Sequence, residues 1–232
     1  MNEITFLVDV DNTLLDNDRI QDDIRRHLET SYGPDCRDRY WAILEQLMDE
    51  LGYRDYLGAL QKYRVEHPTD VSLLGMSSYL VDYPFANRLF PRSLDVIDRL
   101  RQWGRTVILS DEDVVFQPRK VERSGIAAAV DGHVLIYIHK ELALADVERR
   151  YPSRYYVLID DKLRILSAVK KSWGERVTTV FVRQGKFALD DRARAAFPQA
   201  DQAIERIADL IEIEPDALTR RTTPSLTGEV QR

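Results

Sequence analysis

Cysteine and histidine are scarce in this 232-residue chain, which has a single cysteine, Cys36, and four histidines. One cysteine excludes a disulfide within the chain and a thiolate metal cluster. His27, His67 and His133 are too far apart in the sequence to indicate a metal site, and His139 is best explained by local packing or capping. A site built on cysteine or histidine ligands is therefore not expected.

Long hydrophobic runs and an excess of positive charge are also missing. The longest apolar segments have about five to six residues, whereas a membrane-spanning helix needs about 20. The chain begins MNEITFLVDV, where an acidic residue and an apolar strand follow at once, unlike a signal peptide. The formal net charge is −6, with basic residues scattered among acidic ones. We therefore expect a cytoplasmic protein that binds neither membranes nor nucleic acid.

Short, nearly continuous apolar runs recur along the chain, and helical patterns alternate with them. The runs lie at residues 4–8, 106–109, 156–159 and 178–182, with 134–138 as a fifth candidate. Strands that are buried on both faces of a parallel sheet have this pattern. Strands that alternate with helices favour right-handed crossovers. The sequence therefore predicts an α/β fold with a doubly wound parallel, Rossmann-like sheet.

One long segment breaks this alternation. Between about residues 18 and 78 no convincing strand is found, and apolar residues such as Ile20, Ile24 and Leu28 recur at helical spacing. Glycine and proline divide the segment into three or four helices. We therefore predict an inserted all-helical cap domain. The predicted boundaries are 1–15 and 87–213 for the sheet core, 16–86 for the cap and 214–232 for a polar C-terminal tail.

Polar residues follow the apolar runs, where each strand of the predicted sheet ends. Ligands bind at the carboxyl ends of strands in an open parallel sheet, so these side chains are expected to meet at one edge. Each alone is explained as a turn residue, a helix cap or a solvated charge. Together, in one order along the chain, they indicate a catalytic site. The residues are Asp9, Asp11, Thr13, Ser110, Lys140, Asp160 and Asp161.

These residue types suit the chemistry of a phosphoryl group. Clustered carboxylates repel one another, and a hard cation such as Mg²⁺ relieves the repulsion through oxygen ligands. One carboxylate can attack phosphorus and form an acyl phosphate, while a second protonates the leaving oxygen and later activates water. A lysine and a serine can hold the phosphoryl oxygens as charge shifts. The set therefore predicts a metal-dependent phosphohydrolase.

The motifs that contain these residues resemble those of the haloacid dehalogenase superfamily. The segment DVDNTLLDND is similar to its first motif, Asp-x-Asp-x-Thr, and VILSDED, HKELAL and VLIDDK follow in the order of its serine, lysine and acidic motifs. The resemblance runs from Ile4 to about Leu210. The helical segment is also inserted where that superfamily has its first type of cap.

The resemblance implies a role for each residue of the first two motifs. Asp9 would be the nucleophile and a metal ligand. Asp11 would be the general acid and base, and its backbone carbonyl would also contact the metal. Thr13 would steady the loop beside the substrate, and Ser110 would bind the phosphoryl group.

The resemblance also assigns the lysine and the acidic pair. Lys140 would orient Asp9 and the phosphoryl oxygens, because the superfamily's lysine normally opens the helix before the acidic strand. Lys120 is the alternative for that role and is otherwise expected to be a solvated helix residue. Asp161 aligns best with a direct metal ligand, which leaves Asp160 in the outer shell.

The expected activity is Mg²⁺-dependent hydrolysis of a small phosphorylated metabolite. Asp11, together with Asp160 and Asp161, argues for phosphate esters, because a dehalogenase needs neither a proton for its leaving group nor a metal. Two alternatives stay open: a non-catalytic or regulatory binding protein on the same fold, and a hydrolytic dehalogenase. The sequence indicates neither the identity of the substrate nor the oligomeric state.

Overall fold

A parallel β-sheet forms the centre of the computed structural model, which describes residues 2–70 and 74–219. Within these residues, six strands pair in parallel in the order β3-β2-β1-β4-β5-β6. The strands are β1 (Asn2–Val8), β2 (Arg105–Asp111), β3 (Val134–Tyr137), β4 (Ser153–Asp160), β5 (Val177–Val182) and β6 (Gln202–Ile204). The predicted doubly wound sheet is confirmed. The sequence does not predict β6, because three residues are too few to show a pattern.

The register of the central strands brings their carboxyl ends to one level. Val8 of β1 pairs with Ile108 of β2 and with Ile159 of β4. Successive side chains of β1 are buried on opposite faces of the sheet, which accounts for its unbroken apolar run. The strand order reverses between β1 and β4, and a reversal of this kind opens a crevice for ligands at the strand ends.

The segment between β1 and β2 is helical, which confirms the inserted cap. Asp16 caps the first helix, because its side chain accepts a hydrogen bond from the backbone N–H of Arg19. Tyr40 Oη donates to the carbonyl of Tyr56 at 2.8 Å and ties the second helix to the third. The cap helices are α1 (Asn17–Tyr32), α2 (Pro34–Leu51), α3 (Tyr56–Glu66) and α4 (Leu74–Asp82).

The two chain crossings between cap and core run side by side. The backbone N–H of Asp16 donates to the carbonyl of Arg88 at 2.7 Å. Beside them, Asp23 of α1 accepts hydrogen bonds from Tyr83 at 2.6 Å and from Arg88. Tyr83 and Arg88 outweigh the effect of burial on Asp23 and hold its pKa below the usual value. The exact residue boundaries of core, cap and tail stay predictions.

Helices cover both faces of the sheet. Phe116, in the helix after β2, packs against Tyr56 of the cap at a ring-centroid distance of 4.6 Å and against Phe85 at 5.5 Å. The core helices are α5 (Ser93–Arg101), α6 (Phe116–Arg123), α7 (Ile126–Ala129), α8 (Leu144–Arg150), α9 (Leu163–Trp173), α10 (Gly185–Leu189), α11 (Asp191–Ala195) and α12 (Pro215–Thr219). The 3₁₀ segments are Phe85–Arg88, Lys140–Leu142, Gly174–Arg176 and Ile207–Glu212.

The predicted C-terminal tail begins with a short helix. In α12, Leu218 is fully buried, and the carbonyl of Ala217 accepts a hydrogen bond from Gln202 of β6. The first residues of segment 214–232 therefore pack on the core, and residues 220–232 lie outside the described part of the chain. Of the helices described, none combines the length and the apolar character that crossing a membrane requires.

Candidate active site

The loop after β1 is tightly turned and presents Asp9 at the edge of the sheet. The backbone N–H of Asp9 donates to Ile159 of β4, and the carbonyl of Val10 accepts hydrogen bonds from three following N–H groups, Thr13 among them. Thr13 Oγ1 donates to Asp9 Oδ2 at 3.1 Å. Asn12 adopts a positive φ of 58°, and its side-chain oxygen accepts from the N–H of the first residue of α1. The loop thus orients one oxygen of the Asp9 carboxylate.

Lys140 orients the other oxygen. Its Nζ lies 2.5 Å from Asp9 Oδ1 and 2.7 Å from Asp160 Oδ2, and it donates to the carbonyl of Leu109. The side chain is completely buried, and the backbone N–H of Lys140 donates to Asp111 Oδ1. Burial alone would lower the pKa of Lys140, but Asp160 and Asp9 raise it well above its ordinary value. The ammonium is therefore charged and shared between two carboxylates.

The two residues of the acidic pair at the end of β4, Asp160 and Asp161, lie in different environments. Asp160 Oδ1 accepts a hydrogen bond from the N–H of Lys162 at 2.8 Å, and its other oxygen contacts Lys140. Asp161 is 1% exposed, yet neither of its carboxylate oxygens has a hydrogen-bond donor within the described residues. Buried polar atoms almost always have a partner, so the described residues leave this carboxylate without one that it needs.

Asp9, Asp160 and Asp161 fit a hard metal ion. One carboxylate oxygen from each lies within 4.8 Å of the other two, and all three residues are buried. Burial raises the pKa of Asp160 to about 6, and Lys140 opposes that rise. Burial likewise raises the pKa of Asp161 well above its ordinary value, against the opposing charge of Lys162. A divalent cation would offset both effects and supply the partner that Asp161 lacks.

Ser110 lies near the end of β2 and is held by a residue that the sequence did not single out. Gln117 of α6 is fully buried, and its Nε2 donates to Ser110 Oγ at 2.8 Å. The Ser110 hydroxyl itself donates to the carbonyl of Asp111 at 3.4 Å, a long hydrogen bond that an acceptor on a ligand can replace. Gln117 and Ser110 are seven residues apart in the chain, and nothing in the sequence pattern indicates the contact.

Asp11 is paired with Lys120, contrary to the prediction that a Lys120 outside the lysine motif is solvated. Lys120 is fully buried, and its Nζ lies 2.8 and 2.9 Å from the two oxygens of Asp11. It also donates to Asn17 Oδ1 at 3.1 Å and contacts Glu112 Oε2 at 3.4 Å. The amphipathic pattern of α6 indicates that Lys120 is buried, because Phe116 lies one turn earlier on the same face of the helix.

One solved structure decides the family. A crystal structure from Burkholderia xenovorans LB400, provisionally named a haloacid dehalogenase-like hydrolase, is 57% identical to this chain, with a TM-score of 0.87. The match covers 91% of this chain and 99% of that chain. The chain belongs to the haloacid dehalogenase-like hydrolases. No protein-family profile matches it, and no curated protein does.

More distant hydrolases of this kind share the fold. The magnesium-bound HAD-hydrolase YfnB from Bacillus subtilis is 16% identical, with a TM-score of 0.59, over 90% of this chain and 97% of that chain. The L-2-haloacid dehalogenase from Xanthobacter autotrophicus with covalently bound chloropropionic acid is 15% identical, with a TM-score of 0.57, over 90% and 96% of the two chains. At these identities the likeness shows the fold alone.

A cavity of about 600 Å³ lies between the cap and the core of this haloacid dehalogenase-like hydrolase. Asp161 and Glu112 line it on the side of the carboxylates. Burial raises the pKa of Glu112 to about 7, although Lys120 opposes the rise. Arg54, in the loop after α2, lines the cavity from the cap and contacts Glu45 at 3.1 Å. The cap therefore contributes to the walls beside the site.

Proposed function

We propose that this hydrolase is a metal-dependent phosphomonoesterase that forms an acyl phosphate on Asp9. The observation that carries the proposal is the carboxylate set of Asp9, Asp160 and Asp161, in which both oxygens of Asp161 are buried without a donor from the described residues. Carboxylate oxygens without histidine or cysteine are a donor set for a hard cation, and Mg²⁺ is the ion we propose.

The metal would be held by the carboxylates of Asp9 and Asp161 and by the backbone carbonyl of Asp11. Asp160 is already engaged by Lys140 and by the N–H of Lys162, which suits a residue of the outer shell. When bound, the ion would neutralise negative charge and polarise the phosphoryl oxygens. Side chains of this protein would carry out the nucleophilic attack and the proton transfers.

In the first step, a carboxylate oxygen of Asp9 attacks phosphorus, and the P–O bond to the leaving alcohol breaks. Asp11, protonated on one oxygen while the other keeps its hydrogen bond from Lys120, donates that proton to the departing oxygen. Thr13 and Lys140 hold the two oxygens of Asp9, so the nucleophile is oriented before the attack. Ser110, which accepts from Gln117, donates its hydroxyl hydrogen to a phosphoryl oxygen.

In the second step, water hydrolyses the acyl phosphate. Asp11, now ionised, takes a proton from the water molecule as the water oxygen attacks phosphorus. The bond between phosphorus and Asp9 breaks, inorganic phosphate leaves, and the carboxylate of Asp9 is restored. Asp11 is again protonated, so the cycle is balanced.

The leaving group of a small phosphorylated substrate would occupy the cavity beside the site. Glu112, which lines the cavity, contacts the same lysine as Asp11, so the cavity lies on the side of the general acid. Ile138, Leu142 and Phe187 also line it and are 52%, 79% and 42% exposed. Apolar side chains exposed together favour an apolar ligand. We therefore favour a leaving alcohol with an apolar or aromatic body.

The dehalogenase alternative is disfavoured by the same residues. A halide leaves without a proton, so Asp11 would have no task, and the carboxylate set would have no cation to bind. The likeness to L-2-haloacid dehalogenases lies at 14–16% identity and concerns the fold. A purely binding role is disfavoured because the chain carries Asp9, Asp11 and Lys140, to which we assign the roles of nucleophile, acid and orienting lysine.

The test is a screen of phosphate monoesters with the full chain. Released phosphate is measured with Mg²⁺ and after treatment with EDTA, and halide release from 2-haloacids is measured without metal. We expect phosphate release that depends on Mg²⁺. Halide release without metal would support a dehalogenase, and the absence of both products with a bound phosphate ester would support a binding protein.

A further inference from the structure

Lys120 is a buried cation that the reaction described above does not use. It belongs to α6, it is 0% exposed, and its Nζ lies 5.4 Å from the centre of the Phe116 ring. Phe116 in turn packs against Tyr56 of the cap. The lysine therefore contributes nothing to the charged surface of the protein, and its role has to be sought among its buried partners.

A buried charge of this kind is costly as a stabilising device. Removal of an ammonium from water is unfavourable, and a well-packed apolar side chain is often as stabilising as a buried ion pair. A lysine at this position therefore has to be explained by what it contacts. Its nearest partner is Asp11, the residue that moves the proton in the proposed reaction.

Lys120 contacts both carboxylate oxygens of Asp11. At 2.8 and 2.9 Å, Lys120 Nζ reaches both carboxylate oxygens, which restricts rotation of the carboxylate about its terminal bond. Asn17 at 3.1 Å and Glu112 at 3.4 Å accept from the same nitrogen and hold the ammonium itself. Asp11 belongs to the nucleophile loop, Asn17 begins α1, and Glu112 directly follows β2, so the lysine connects three segments around the site.

We propose that Lys120 is a positioning residue that holds the Asp11 carboxylate in the orientation required for proton transfer to the leaving oxygen. The proposal rests on the proposed phosphomonoesterase activity. It assigns Lys120 no contact with the substrate, in contrast to Lys140, which contacts Asp9. Loss of a residue that orients a general acid should slow most the substrates whose leaving oxygen has to be protonated.

The first test compares two leaving groups. Protonation of the leaving oxygen has little effect on the departure of p-nitrophenolate, which is a stable anion. It strongly accelerates the departure of an alkoxide such as that of glycerol phosphate. We expect Lys120→Met to lower kcat/KM, which reports formation of the acyl phosphate and not its hydrolysis, at least about tenfold more for the alkyl phosphate than for p-nitrophenyl phosphate. Lys120→Arg should recover part of the loss, because it restores the cation.

Lys171→Met is the matched control, since Lys171 is an exposed lysine at the end of α9 and its replacement should leave both rates unchanged. A purely structural role of Lys120 predicts an equal loss for both substrates, and that result would overturn the proposal. If Lys120→Met does not fold, Asn17→Ala removes one anchor of the ammonium without changing the charge. It should show the same selective loss to a smaller degree.

The second test does not depend on activity. Crystal structures of the full chain and of Lys120→Met, or of Asn17→Ala, are compared at the Asp11 side chain. We expect the carboxylate to rotate or to occupy two conformers in the variant. An unchanged Asp11 would overturn the positioning role. If the wild type hydrolyses no phosphate ester, the proposed function fails, whereas this comparison still decides whether Lys120 positions Asp11.

Discussion

Lys140 Nζ lies 2.5 Å from Asp9 Oδ1, and this contact joins the start of a 3₁₀ segment to the end of the first strand across 131 positions in the sequence. The same ammonium lies 2.7 Å from Asp160. A single buried cation therefore holds the proposed nucleophile beside one member of the acidic pair. The arrangement leaves Asp161 without a donor within the described part of the chain, which is where we expect the metal.

Asp9→Asn should abolish phosphate release, by at least roughly a thousandfold, because an amide cannot attack phosphorus as a carboxylate does. The fold should persist, since Lys140 keeps Asp160 as its counter-charge. Steady-state kinetics and thermal unfolding measure the two effects. Asp98→Asn, an exposed aspartate of α5, is the control and should behave as wild type. Substantial activity in Asp9→Asn would show that Asp9 is not the nucleophile.

Mg²⁺ should stabilise the folded protein, because it binds a site that the unfolded chain does not have. At a concentration one hundred times Kd, the gain in the free energy of unfolding is about 2.7 kcal/mol. Asp161→Asn should remove most of this gain, since Asp161 offers two buried oxygens without a donor from the described residues. Denaturant unfolding with and without Mg²⁺ measures it. The same gain in Asp161→Asn as in the wild type would place the ion elsewhere.

Phe187→Ala should alter selectivity among phosphate esters. Phe187 lines the cavity, so its loss should lower kcat/KM for naphthyl phosphate by roughly tenfold relative to glycerol phosphate. Leu189→Ala provides the control, because Leu189 is an exposed residue of the same short helix and is not part of the lining. Equal changes for the two esters in Phe187→Ala would mean that the leaving group does not occupy this cavity.

Glu112 should make the stability of the protein fall with rising pH. Burial raises the pKa of Glu112 from 4.5 to about 7, so between these values the folded protein binds more protons than the unfolded chain. The free energy of unfolding therefore decreases as pH rises from about 4.5 to about 7, by at most about 1.4 kcal/mol per pH unit, and levels off above that range.

Denaturant unfolding of the wild type and of Glu112→Gln at several pH values isolates this contribution. The glutamine variant lacks the titrating group, so the stability of wild type minus variant should decline across the window and stay constant above about pH 7. A difference that stays level or rises between about pH 5 and pH 7 would contradict the raised pKa.

Gly185→Ala should destabilise the protein and disturb the nucleophile loop. Gly185 has a φ of +73°, and an added Cβ would lie 2.4 Å from the side chain of Asn12. Gly132 has a φ of +76° with no atom near an added Cβ, so Gly132→Ala measures the backbone strain alone, about 1–3 kcal/mol. Denaturant unfolding should show a larger loss for Gly185→Ala. Equal losses would mean that Asn12 moves aside freely.

The sequence by itself determined the sheet and the main catalytic candidates. Strands buried on both faces need continuous apolar runs. These runs, and the polar residues that follow them, can therefore be recognised in the sequence. Asp9, Lys140 and Asp160 are recognisable because each follows such a run, and the structure places them in contact. The cap is legible for a similar reason, since helical periodicity replaces the strand pattern over a long segment.

Tertiary structure alone decided which polar groups have partners. The helical pattern of α6 indicates only that Lys120 lies on the face of Phe116. Its partners Asp11 and Asn17, 109 and 103 positions away in the sequence, are brought to it by the fold. The sequence also does not show that the two oxygens of Asp161 receive no hydrogen bond from any described residue. Periodicity reports which face of an element is apolar. The hydrogen bonds and ion pairs of a buried polar side chain depend on long-range contacts, which exist only once the chain has folded.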